Sequence, residues 1–105
     1  MNKPQELMGV YGYFAPDARV AIGFSRHVYA TKKRLDFELK LNACSYKMLQ
    51  QLYNECGTLE FKLLETYKPS ADESDIVIDA HLKALLLKWE KQFGVDAQIL
   101  QMPVL

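Results

Sequence analysis

Two cysteines, two histidines, a pair of tyrosines near the start and one cluster of cations have the most chemical reach in this chain. Cys44, Cys56, His27 and His81 supply, by residue type, the four ligands of a tetrahedral zinc site. None has the short paired spacing from which such sites are built. A Cys–His nucleophilic pair lacks a third, orienting group at a recognisable distance along the chain. With no secretory signal, the cysteines are expected as free thiols rather than a disulfide. Tyr11, Tyr13 and Phe14 offer ring faces on which nucleotide bases would stack. On a strand, however, alternation sets Tyr11 and Tyr13 on one side and Phe14 on the other, as in a core. Arg26, Lys32, Lys33, Arg34 and Lys40 read either as a basic patch for phosphate or as a solvated helix face.

These groups sit in 105 residues, enough for one domain and one core. The reading is a single unit over 1–105, with its core at about 8–94 and an apolar tail at 95–105. Half the residues are apolar and a quarter charged, the balance of an ordinary globular protein. Lys plus Arg equals Asp plus Glu at thirteen each, so the formal charge is zero. That argues against strong nonspecific binding to nucleic acid, which is mostly phosphate neutralisation. No apolar stretch reaches membrane-spanning length, and the N-terminal MNKPQELMG has no apolar signal region. A cytoplasmic protein without membrane contact is expected.

The elements that position these residues follow from two periods. Residues 8–14 and 19–24 are rich in aromatic and β-branched types and flank a turn at Pro16, which predicts a hairpin. Residues 28–41 are ambiguous: Leu35, Phe37, Leu39 and Leu41 alternate, whereas Val28, Thr31, Leu35 and Leu39 keep helical spacing. Met48, Leu49, Leu52, Tyr53 and Cys56 form an apolar helix face, with Ser45 as its expected cap and Gly57 as its stop. Leu59, Phe61 and Leu63 then alternate with Glu60 and Lys62, a half-buried strand. After a polar loop, Ser74 or Asp75 caps a last helix whose stripe is Ile78, Leu82, Leu85, Leu86, Trp89 and Phe93. The tail, with Pro103, has no clear period; it packs over the sheet or meets a partner chain.

The layout of residues 45–65 resembles the middle of GIY-YIG domains, whose founding members are nucleases. There a helix of the form KxLQxxxNxxG precedes a strand, and here Lys47, Leu49, Gln50, Asn54 and Gly57 precede Phe61, Leu64 and Glu65. Gly9-Val10-Tyr11 and Ala21-Ile22-Gly23 stand where the name-giving triplets belong. The resemblance covers roughly 9–93 and decides for a helix over residues 28–39. It implies an α+β fold in the order ββααβα, a three-stranded antiparallel sheet flanked by helices. In such nucleases a glutamate on the last helix holds a metal ion, an arginine on the first helix stabilises phosphate charge, and two tyrosines position the water. Tyr11 matches the first tyrosine, and Ala21 replaces the second. Counting from Gly23 to Gln50, the arginine position falls on Thr31, with Arg34 about a turn further. The glutamate sits three residues before a Trp, which here gives Leu86, a side chain unable to ligate a hard cation. Glu90 and Glu73 are the nearest substitutes, and His81 would border the same region.

Three functions are open at this point. The leading expectation is a divergent GIY-YIG-fold domain that is not a competent nuclease, holds no cofactor, and serves as a nucleic-acid or protein interaction module. The second is an atypical endonuclease using Tyr11, Arg34, a replacement carboxylate and Mg²⁺ or Mn²⁺. The third is a structural or oligomeric protein that meets a partner or itself through 95–105.

Overall fold

The computed structural model describes residues 7–94 and 97–99. The elements are β1 (Gly9–Phe14), β2 (Val20–Ser25), α1 (Val28–Lys40), α2 (Lys47–Cys56), β3 (Glu60–Thr66), α3 (Asp75–Phe93) and β4 (Ala97–Ile99). They build one sheet in the order β3-β1-β2-β4. Strand β1 runs antiparallel to both its neighbours, and β4 pairs parallel to β2. The three-stranded expectation is therefore corrected to four strands. Three residues are too few to display a period, and β4 is placed by the return of α3 across the sheet rather than by local pattern. Residues 95–96 and 100–105 of the tail, which the sequence leaves either over the sheet or against a partner chain, lie outside the described residues.

The ambiguity of residues 28–41 resolves as a helix. Val28, Leu35 and Leu39 are buried, while Phe37 and Leu41 are exposed. The alternation arose because one helix carries apolar residues on both its inner and its outer side. Helix α2 begins after Tyr46, whose extended backbone makes it the N-cap, and no side chain caps it. Ser45 is thus not the cap. The loop before α2 is held instead by Gln50, as described below. At the far end Gly57 takes the left-handed conformation, with φ of 78°, and its N–H donates to the Tyr53 carbonyl at 2.7 Å. Ser74, and not Asp75, caps α3: its Oγ accepts from the Val77 N–H.

The sheet separates two cores. Helices α1 and α2 cover one face, where Tyr11, Tyr13, Ala21, Leu35 and Leu49 are buried together. Helix α3 covers the other, where Val10, Val20, Ile22 and Leu86 meet, with Phe14, Trp89 and Phe93 packed against them. Burying a large aliphatic or aromatic side chain contributes about 1.5–3 kcal/mol, so each face is a major source of stability.

Candidate functional site

Tyr11 is the residue on which the chemistry would turn, and it is sealed. Its relative exposure is 0%, its ring stacks on Phe61 at 5.7 Å, and Tyr13 meets it edge-on at 6.3 Å. The hydroxyl has no hydrogen-bond partner among the described residues. Burial pushes the Tyr11 phenol well above its ordinary proton affinity; nearby Arg34 opposes the shift only in part. The phenol is thus out of contact with solvent and held toward its neutral form.

The other matched positions divide: Ala21 shares the Tyr11 core and Arg34 lies near it, whereas Leu86 does not. Ala21 is fully buried on the Tyr11 face. Thr31 shares a 2.8 Å hydrogen bond between its Oγ1 and Ser25 Oγ, and Ser25 Oγ also accepts from the His27 N–H. The pair closes the turn from β2 into α1. Leu86 is 1% exposed and belongs to the core on the opposite face of the sheet. Arg34 is exposed, with Nη1 3.5 Å from Glu38 Oε2.

The five cations are not one patch. Lys32, Lys33 and Arg34 are consecutive on a helix and so leave it in three directions. Arg26 is held by Asp75 and Asp79 of α3 at 3.0 and 2.9 Å. Lys32 donates to Asp36 at 2.7 Å and lies over the Phe61 ring. Of the five, Lys33 and Lys40 carry no ion pair among the described residues.

The residues that do converge are scaffold. Gln50, which is 9% exposed, accepts from the Cys44 N–H and donates to the Leu39 carbonyl and to Asn54 Oδ1. Asn54 then donates to Asn42 Oδ1. One buried amide therefore satisfies both ends of the α1–α2 connection. Gly9 is required by close approach: a Cβ there would overlap the Glu65 carbonyl oxygen and press on Thr66, beside the irregularity in the β1–β3 register. Glu65 accepts from Trp89 Nε1 at 2.8 Å and from Lys88 at 2.7 Å, which ties β3 to α3 and lowers the proton affinity of its carboxyl.

No family model matches the chain, and no curated protein matches it. Solved structures do. The catalytic domain of homing endonuclease I-TevI superposes over 90% of this chain and 99% of its own, with a TM-score of 0.63 at 20% identity. A glutamate-to-alanine mutant of the same catalytic domain, described as that of an intron endonuclease, covers 89% and 98% at a TM-score of 0.55 and 23% identity. The chain has a GIY-YIG-like fold. In this GIY-YIG-like domain the matched Gly9, Gln50, Asn54, Gly57 and Glu65 all hold backbone and elements in place.

A divalent cation does not fit the residues present. Leu86, which the resemblance sets at the glutamate position, is a core side chain, and among the described residues no three His, Cys, Asp or Glu side chains gather as a group that could hold a metal. Glu73 is already engaged, accepting from Tyr67 Oη with His81 Nε2 3.8 Å away. His81 stacks on Tyr67, which places it at the β3–α3 loop. Cys44 and Cys56 are free thiols; the four zinc-type residues named above form no cluster among the described residues, and burial raises the Cys44 thiol.

Sequence reasoning missed one polar unit of this GIY-YIG-like fold. Tyr13 Oη donates to Asp36 Oδ1 at 2.9 Å, and Lys32 takes Oδ2 of the same carboxylate. The unit lies beside a concavity of about 250 Å³ between α1 and α2, lined also by Tyr53 and Thr58. The i,i+4 spacing of Lys32 and Asp36 was the available signal.

Proposed function

We propose that this chain is a GIY-YIG-fold binding module without phosphodiester hydrolysis. The observation that carries the reading is the burial of Tyr11, the one matched chemical residue, behind Phe61 and Tyr13. Ala21 and Leu86 support it, since both are core side chains on opposite faces of the sheet. The solved neighbours are endonuclease catalytic domains. A water-activating group must meet the attacking water, and here that phenol is in the interior.

The contact surface of the module is the outer side of α1. Tyr29, Phe37 and Leu41 are exposed there, spaced for one helical flank, with Lys33 and Lys40 beside them. Zero net charge and internally paired arginines favour a protein partner over a nucleic acid on that surface.

A plasmid-nicking assay with Mg²⁺ and with Mn²⁺ tests the loss of hydrolysis. The expected result is no conversion of supercoiled substrate beyond the buffer control. Nicking that disappears in Arg34→Ala would establish the endonuclease reading instead. Binding to duplex and single-stranded DNA across salt distinguishes the ligand class: a steep loss of affinity with salt would mark a phosphate-binding surface.

A further inference from the structure

Helix α3 is apolar on two sides. Ile78, Leu82 and Leu86 face the sheet, yet Ile76 is 82% exposed and Leu87 46% exposed, with Ala80 and Ala84 exposed between them. These residues recur at spacings of three and four, so they form a continuous outer stripe about opposite to the core stripe. A helix that is apolar on both sides is one that packs on both sides. We propose that this outer stripe pairs with the same stripe of a second copy, α3 against α3 in antiparallel orientation, making the protein a twofold dimer.

Three features of the stripe select a second copy as occupant. The two alanines lie at its middle, where small side chains let two helix axes approach closely. Its ends are large: in antiparallel register Ile76 of one copy falls opposite Leu87 of the other. The charges complement themselves in that same register. Asp79 and Lys83 lie on one flank of the stripe, and the antiparallel twofold brings each Asp79 beside the other copy's Lys83, twice per dimer. Both groups are available. Lys83 has no partner among the described residues, and Arg26 engages only Oδ1 of Asp79. The surface lies on α3, away from the outer side of α1, and holds whether or not the binding reading above is correct.

Sedimentation equilibrium of the full chain over a wide concentration range tests the proposal. A reversible monomer–dimer equilibrium is expected, and Leu87→Glu, at an exposed position, should weaken it at least tenfold while circular dichroism stays unchanged. The register has its own test. Asp79→Lys alone and Lys83→Glu alone each set like charges opposite one another, so each should be more monomeric than the natural protein. Mixed in equal amounts, the two variants should associate again, because the mixed pair restores both attractions. That recovery should diminish with salt. A natural protein that stays monomeric at the highest concentration would overturn the proposal. So would a dimer indifferent to Leu87→Glu, or variants whose mixture does not recover; these results would leave the stripe to residues 100–105 or to an unlike protein.

Discussion

On the α3 face of the sheet the buried residues include Val10, Val20, Ile22, Ile78, Leu82 and Leu86, all aliphatic. On the α1–α2 face Tyr11, Tyr13 and Gln50 lie among the leucines, and two polar atoms, Tyr11 Oη and Glu38 Oε1, are buried without partners among the described residues. The first face is a plain hydrophobic core. The second is a core with leftover polarity, and it holds the tyrosine that matches the nuclease family. A buried unpaired hydroxyl costs about 1–3 kcal/mol of desolvation. Its persistence at Tyr11 is offset by the ring, which stacks on Phe61 and closes the centre of that face. In the proposed reading, then, two chemical positions were emptied by different routes: Leu86 by conversion to core, Tyr11 by enclosure of a side chain that stayed the same.

The largest test of that contrast is Leu86→Glu. It places a carboxylate among aliphatic side chains, and several kcal/mol, on the order of 3–5, should be lost at neutral pH by chemical denaturation. The folded-state pKa of that group would be raised, so the folded state binds its proton more tightly. The deficit should be smallest below the unfolded pKa near ~4.3 and grow as pH rises from there through the folded value. A variant as stable as the natural protein would mean that α3 is rotated from the orientation described.

Next in size is Gln50→Ala on the polar face. It strands the Cys44 N–H and removes one of two donors from the Leu39 carbonyl, which keeps the Asn42 N–H at 3.1 Å, and should cost about 2 kcal/mol. Equilibrium unfolding in urea measures it, and a loss below about 0.5 kcal/mol would remove Gln50 as the anchor of the α1–α2 connection.

The two tyrosines separate more finely. Tyr13→Phe removes a donor from Asp36 and should destabilise by about 1 kcal/mol. Tyr11→Phe removes only an unpaired hydroxyl and should be neutral or slightly stabilising. Reversal of that order would show that Tyr11 has a polar partner in solution.

The smallest effect concerns Tyr67. Its hydrogen bond to Glu73, with burial adding less, pushes the phenol up to about 12 from an ordinary 10.0. Because the folded value is raised, the associated stability is complete below the unfolded pKa near 10.0 and is lost as pH climbs through 12. Phenolate absorbance in the near ultraviolet should show a late-titrating tyrosine that Glu73→Gln returns to the normal range. No change in Glu73→Gln would detach Tyr67 from that carboxylate.

Much of this architecture was legible in the sequence, for identifiable reasons. The α2–Gly57–β3 block switches from a period near 3.6 to a period of 2 across a glycine, and both elements formed, although Met48 of the expected helix face is exposed and Ser45 is not the cap. Leu86 read as core because its stripe was long. What stayed hidden is equally specific. The alternation of Leu35, Phe37, Leu39 and Leu41 mimicked a strand because α1 is apolar on its outer side as well. A linear motif gives no account of which sheet face a position occupies, so the separation of Leu86 from Tyr11 emerged only from the fold. The matched Gln50 was visible as a letter, but its three hydrogen bonds join residues from Leu39 to Asn54 that no local period connects.

The fourth strand has a consequence for how the chain is made. Strand β4 covers Val20, Ala21 and Ile22 of β2, whose side chains are almost wholly buried and whose backbone would otherwise be a bare, flat, apolar edge. That guard is synthesised more than seventy positions after the segment it protects. During translation β1 and β2 can close their hairpin early, but the open side of β2 must wait for residues 97–99. A chain truncated after α3 would keep the Tyr11 core, lose Ala97 and Ile99 from the margin of the other, and expose this template for strand addition. It should therefore fail by aggregation rather than by loss of secondary structure.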